Sequence, residues 1–192
     1  MKFDIILAGV GGQGVLSVSA IIASSAMHEG LSVKQSEVHG MSQRGGEVQA
    51  NLRLSDRPIA SDLIPRATAS LLLSMEPLES LRYLPYLSAT GTVLTSTDAV
   101  ANFANYPDMD QLLAQIRALP RAILIDADRL ARRAGSARAT NMVMVGAASH
   151  LLPVRLETIE HFVGTLFGAK GTKVVEINLK ALAAGREAAS GR

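Results

Sequence analysis

The stretch Lys2-Phe-Asp-Ile-Ile-Leu-Ala-Gly-Val-Gly-Gly-Gln-Gly-Val15 decides the fold class. Residues 2–8 are a mostly apolar run of the kind shown by a strand buried on both faces. Gly9, Gly11 and Gly14 follow with the spacing GxGxxG. Residues 15–28 then place Val15, Val18, Ile22 and Ala26 along one stripe of a helix, and Gly30 supplies its stop. Leu31 to Val38 reads as a second strand. Strand, glycine turn, helix and strand form the opening of a Rossmann-like α/β fold. Such a crossover is expected to be right-handed, with its two strands parallel.

Outward from that unit, residues 39–46 read as a glycine-bearing loop. Glu47 to Leu54 alternates Val48, Ala50, Leu52 and Leu54 with polar neighbours, the pattern of a half-exposed strand. Ser55-Asp-Arg-Pro58 is a turn. Strands are expected at 69–74, 91–97 and 121–126, and helices at 76–84, 108–119 and from 127 to about Arg133. The last third is different, with helices expected at 141–151, 156–167 and 172–184. The expected architecture is a three-layer αβα fold with a mainly parallel sheet, a short antiparallel addition and a helical C-terminal part. It forms one domain over residues 1–192, with 140–192 as a helical extension packed on it.

Composition narrows the possibilities. Hydrophobic residues make up 48% of the 192 and aromatic residues only 4%, so the core is aliphatic. The chain has no Cys, which excludes disulfides and cysteine-ligated zinc or iron–sulfur sites within it. Asp4 and Gly9 interrupt the apolar core a signal peptide needs, and no apolar stretch approaches the ~20 residues that span a bilayer. A cytoplasmic protein with no membrane contact is expected. Charge is segregated. Glu76, Glu79, Asp98, Asp108 and Asp110 face only Arg82 in residues 76–110. Residues 117–138 carry six arginines against Asp126 and Asp128. A solvated helix face and a patch for an acidic partner both fit the second stretch. Nucleic acid is disfavoured, since no aromatic residues are interleaved with these arginines.

The glycine turn has two readings. A dinucleotide site would use the free N–H groups of the helix start, with Glu37 as the ribose-binding acid near the end of the next strand. Alternatively the glycines permit close strand–helix packing and nothing more. Gly12 and Gln13 lie outside the dinucleotide requirement and suggest a flatter, more exposed backbone. The second loop, Ser36-Glu-Val-His-Gly-Met-Ser-Gln-Arg-Gly-Gly46, is the more unusual stretch. Glu37 and His39 share a side if the strand reaches His39. Arg44 among glycines can approach a carboxylate or phosphate with little crowding. The ends of the first two strands lie at one sheet edge, so the two glycine loops are expected to converge there.

Together these two loops resemble the gamma-type domain of the 2-oxoacid–ferredoxin oxidoreductases, and within that family the small subunit of the indolepyruvate branch. Glu76-Pro-Leu-Glu79, Leu81-Arg-Tyr-Leu84, Asp126-Ala127 and Asn141 before Gly146-Ala147 extend the resemblance over nearly the whole chain. Ser42 stands where many relatives carry Ala. The resemblance implies oxidative decarboxylation of an aryl 2-oxoacid with coenzyme A, giving an acyl-CoA, carbon dioxide and reduced ferredoxin. It implies that thiamine diphosphate, Mg²⁺ and [4Fe-4S] clusters reside on a large partner subunit, with ferredoxin as acceptor, and that this chain binds no cofactor alone. A gamma subunit serving pyruvate, 2-oxoglutarate or a branched-chain 2-oxoacid, and an independent NAD(P)-dependent dehydrogenase, stand as alternatives. No residue is assigned as catalytic. The candidate active-site edge consists of Gly11, Gly12, Gln13, Gly14, Glu37, His39, Arg44 and Gly45, with interface packing as the alternative for each. Lys170-Gly-Thr-Lys173 reads either as a solvated basic turn or as an attractor of coenzyme A phosphates.

Overall fold

Strand β1 (Lys2–Val10) lies inside a sheet completed by β2 (Ser32–His39), β3 (Glu47–Ser55), β4 (Ala69–Ser74), β5 (Leu87–Ser96) and β6 (Ala122–Ile125). The computed structural model describes residues 1–39, 45–102 and 104–190. Among these the strand order is β2-β3-β1-β4-β5-β6. The pairs β1–β4, β4–β5 and β5–β6 are parallel, while β3 runs antiparallel to both β1 and β2. Helices are α1 (Val15–His28), α2 (Pro77–Arg82), α3 (Met109–Arg117), α4 (Ala127–Ala134), α5 (Thr140–Ala148), α6 (Leu156–Gly168) and α7 (Thr172–Ala189).

The side-chain alternation of β1 sorts the layers. Ile5 and Leu7 join a core with α1, α4, α5, α6 and α7, while Ile6 and Ala8 join a second core with Ile116 of α3 and Tyr83 beyond α2. The sheet is therefore the middle layer of an αβα sandwich. Helix α5 is buried all round, from Asn141 to Ala148, and stands between the sheet and α7. Buried residues of α5, α6 and α7 belong to one cluster with those of β1 and α1.

One expectation is corrected by the topology. Strands β1 and β2 do point the same way, but they are not neighbours. Strand β3 sits between them, with Leu7 opposite Ala50 and Ala50 opposite Glu37. A two-sided ladder suits β3. Val48, Ala50, Leu52 and Leu54 reach the α1 core, and the chain entering from β2 returns antiparallel to cover the exposed side of β1. The other face of β3 is not half-exposed either. Asn51, Arg53 and Ser55 are buried, because the segment after β3 folds back over them. Arg53 donates to the carbonyls of Ser61 and Leu63, and Ile64 N–H donates to Asn51 Oδ1.

Candidate functional site

The two glycine loops meet at the C-terminal ends of β1 and β4. Gly11 N–H donates to Gly46 O at 2.8 Å, and Gly45 N–H donates to Gly11 O at 3.4 Å. These bonds continue the β1–β3 ladder past Val10 and Glu47. The predicted convergence is thus present, made by β3 rather than by a direct β1–β2 crossover.

Inside the turn the polar groups are divided. Gln13 N–H donates to Val10 O at 3.1 Å. The Gln13 side chain turns inward, with Oε1 accepting from Val10 N–H at 2.8 Å and Nε2 donating to Met75 O at 3.1 Å. It locks the turn to the end of β4, committing one lone pair and one amide hydrogen. The N–H groups of Gly12 and Gly14 have no protein acceptor among the described residues. Both residues need the glycine backbone, with φ of +104° and +80°. Gly14 is also the N-cap of α1 and is covered by Asn141, whose Nδ2 would lie 2.7 Å from a β-carbon placed there.

The other sequence-predicted residues lie along β2 and its loop. Glu37 is on the α1 side of the sheet, opposite Ala50, and accepts from Gln35 Nε2 at 2.6 Å. His39 ends β2, with its backbone opposite Val48. Gly45 takes φ of +77°, and its carbonyl accepts from Asn102 Nδ2. Arg44 lies outside the described residues, as do Gly40 to Gln43.

Beside Gly45 the structure adds residues that spacing did not single out. A cavity of about 200 Å³ is lined by Gly45, Glu47, Glu76, Glu79, Arg82 and Tyr106, among others. Glu76 is 1% exposed and caps α2 by accepting from Glu79 N–H at 2.9 Å. It also accepts from Tyr106 Oη and from Val100 N–H. Arg82 joins Glu79 at 3.0 Å and Glu47 at 3.2 Å. The order Glu-Pro-x-Glu was a readable helix start, with Pro77 in the first turn, but its burial was not. Among the described residues the lining holds no Ser, Cys, Lys or His. Glu47 and Glu79 engage Arg82, and Glu76 is held by Tyr106 and Val100 N–H, so the described residues offer a preset polar wall and no activated nucleophile.

Burial raises the Glu79 carboxyl above its ordinary value; Arg82 opposes this, and Glu76 and Glu47 add to it. Burial also pushes the Tyr83 hydroxyl up to about 12, with Glu47 and Glu79 contributing. Tyr106 shifts in the same direction, through burial first and then through Glu76. The Glu79 shift has a testable sign. A raised folded-state pKa gives stability that is complete below the ordinary carboxylate value and is lost as pH rises through the raised one. Glu79→Gln, which can still accept from Arg82, is expected to gain stability relative to wild type across that rise. Urea unfolding of both chains between about pH 4 and about pH 8 reads this directly, and a difference that stays flat with pH contradicts it.

Similarity to known proteins fits this geometry. The family model described as pyruvate ferredoxin/flavodoxin oxidoreductase matches residues 4–188. The chain belongs to this family. It is 38% identical over 202 aligned positions to the indolepyruvate oxidoreductase subunit IorB of Archaeoglobus fulgidus, covering 100% of this chain and 98% of the relative. Among solved structures, a keto/oxoacid ferredoxin oxidoreductase gamma subunit from Geobacter sulfurreducens superposes with a TM-score of 0.72 at 24% identity, over 99% of both chains. A 2-oxoglutarate:ferredoxin oxidoreductase from Magnetococcus marinus, solved with 2-oxoglutarate, coenzyme A and succinyl-CoA bound, gives a TM-score of 0.80 at 22% identity. The match spans 100% of this chain and 31% of that one. As a member of the pyruvate ferredoxin/flavodoxin oxidoreductase family, the chain is an oxidoreductase subunit with the three-layer α/β fold of the gamma subunits. No helix among the described residues is long and apolar enough to cross a membrane.

Proposed function

We propose that this chain is the small subunit of an indolepyruvate ferredoxin oxidoreductase. With a large subunit it supports the coenzyme A-dependent oxidative decarboxylation of an aryl 2-oxoacid, yielding acyl-CoA, carbon dioxide and reduced ferredoxin. The observation that carries this reading is the end-to-end similarity to the A. fulgidus subunit, at 38% identity over 202 positions. The reading treats residues 1–192 as one gamma-type domain, since buried side chains from β1 to α7 share one cluster. It places the complex in the cytoplasm.

The residues of this chain do not fit the family's redox and thiamine groups. There is no Cys. Among the described residues no three His, Asp or Glu side chains are grouped to hold a metal ion. By the family resemblance, thiamine diphosphate, Mg²⁺ and the [4Fe-4S] clusters are assigned to the large subunit, and this chain contributes an edge. That edge is the exposed turn at Gly12, the N–H groups of Gly12 and Gly14, which have no acceptor among the described residues, and the loop from Glu37 and His39 through Arg44 to Gly45. Gln13 and Gly11 set its shape from within. The topology argues against a nicotinamide site of the usual kind. With β3 interposed, Glu37 stands two strand spacings from β1, on the order of 10 Å, where a ribose held on the glycine turn is out of easy reach.

The test is reconstitution. Co-expression with the large subunit is expected to give indolepyruvate- and coenzyme A-dependent reduction of ferredoxin that neither chain shows alone. Greater turnover with pyruvate, 2-oxoglutarate or a branched-chain 2-oxoacid would reassign the substrate. Arg44→Ala in the assembled complex is expected to lower kcat/KM by about tenfold or more with assembly unchanged. Unchanged turnover would remove Arg44 from the site.

A further inference from the structure

A cavity of about 360 Å³ lies away from the glycine edge. It opens on the helical face, between the start of α1 (Ser17), the turn before α5 (Ser136, Arg138), the end of α6 (Phe167, Lys170) and the first turns of α7 (Val174, Asn178). Its size suits a small organic ligand. We infer that this cavity is a binding site for an organic phosphate, with the phosphate held by Arg138, Lys170 and Asn141 and the apolar body on Phe167, Val174 and Ile177.

Charge in the lining is of one sign. Among the described residues Arg138 and Lys170 are its charged side chains, and no carboxylate lines it. Neither cation has an acidic partner among the described residues; Lys170 stands over the Phe167 ring at 5.2 Å. Helices α1, α5 and α7, which all begin beside the cavity, have neither a side-chain cap nor an acidic residue in the first turn. By contrast α2, α3 and α4 are capped by Glu76, Asp108 and Asp126, and each has an acid in its first turn. The cavity therefore sits at a positive end of the molecule's field.

Two amides of the lining supply polar atoms that a ligand can engage. Asn141 is 8% exposed and spends Oδ1 on Met142 N–H, leaving Nδ2 without an acceptor among the described residues. Asn178 is 6% exposed and spends Nδ2 on Val174 O, leaving Oδ1 without a donor. Both line the cavity. Neither of these two atoms is sealed from solvent, since Ser19 Oγ and Ser25 Oγ are the fully buried side-chain atoms without a partner among the described residues, so both can be reached through the cavity. One free donor beside two cations suits phosphate oxygens, and one free acceptor over an apolar floor suits a donor on the ligand's body.

Calorimetric titration of the full chain with adenosine 5′-monophosphate, inorganic phosphate and adenosine separates the parts of the site. The monophosphate is expected to bind saturably, roughly tenfold or more tighter than phosphate or adenosine alone. Arg138→Ala and Lys170→Ala, both at the exposed rim, are each expected to weaken it about tenfold. Asn141→Asp keeps the acceptor for Met142 N–H, puts a negative charge at the free donor, and is expected to abolish binding. Arg133→Ala, exposed and outside the lining, is expected to change nothing. Absence of saturable binding, equal affinity for the three probes, or Arg138 and Lys170 variants that bind like wild type would overturn the site. The inference is independent of the proposed reaction, which the reconstitution assay tests separately.

Discussion

Gly146→Ala is expected to destabilise the fold by about 3 kcal/mol or more, although the exchange normally favours a helix by about 1 kcal/mol. A β-carbon on Gly146 would lie 1.9 Å from Leu182 O, and one on Gly185 would lie 1.9 Å from Val143 O. Helices α5 and α7 thus cross with their backbones in contact, each glycine receiving the other helix's carbonyl. The obstacle is backbone on both sides, so no rotamer change relieves it. Relief requires moving α7 away from α5, which opens the aliphatic core around Met142, Val145, Ala181 and Leu182. Gly164→Ala in α6 is the matched control. A β-carbon there meets nothing within 4 Å, so the substitution is expected to stabilise the helix by about 0.5–1 kcal/mol. Urea unfolding of the two variants should move the midpoint in opposite directions. A neutral Gly146→Ala would show that α5 and α7 can separate without cost.

The same contrast explains which features were legible in the sequence. Helix α1 was readable to the residue, because Val15, Val18, Ile22 and Ala26 fix its apolar stripe and the flanking glycines mark its ends. The apolar run of β1 announced burial on both faces. What local pattern could not give was adjacency. The alternation of β3 has the same period wherever it pairs, so nothing within Glu47–Ser55 says that it intervenes between β1 and β2. Nor does it say that its polar face is roofed by the segment after it, because that depends on Arg53 reaching Ser61 and Leu63.

The site divides along the same line. The meeting of the two glycine loops was readable from chain direction alone. The inward role of Gln13 was not, since its partner Met75 is 62 residues away. Asn141 lies still farther from Gly14 in sequence, yet it covers the turn and lines the neighbouring cavity. Pro77 and the acid Glu76 announced a helix start, but burial of Glu76 under Tyr106 depends on the loop after β5. Local chemistry revealed the backbone of the site, and distant chain segments supply the side chains that complete it.

The second large effect is expected at Asp4. Its carboxylate is 1% exposed and pairs with Arg53 through Nε at 3.0 Å and Nη2 at 3.2 Å, with Lys2 Nζ also at 3.0 Å. Asp4→Ala would leave a nearly buried guanidinium without its counter-charge, a loss of about 3–5 kcal/mol. Truncating Arg53 instead would leave Asp4 with Lys2 alone and release the carbonyls of Ser61 and Leu63, loosening the segment over β3. The pair's net worth is a separate quantity, because two charges have been desolvated to form it. Asp4→Leu with Arg53→Met replaces both by apolar groups, and the double variant is expected to recover most of the loss suffered by either single change. Proteolysis should separate stability from the roof. The double variant lacks the arginine that ties down residues 61–63, so cleavage there is expected to rise even where the unfolding midpoint recovers. If cleavage stays at the wild-type rate, Asn51 and its bond to Ile64 N–H are holding that segment without Arg53.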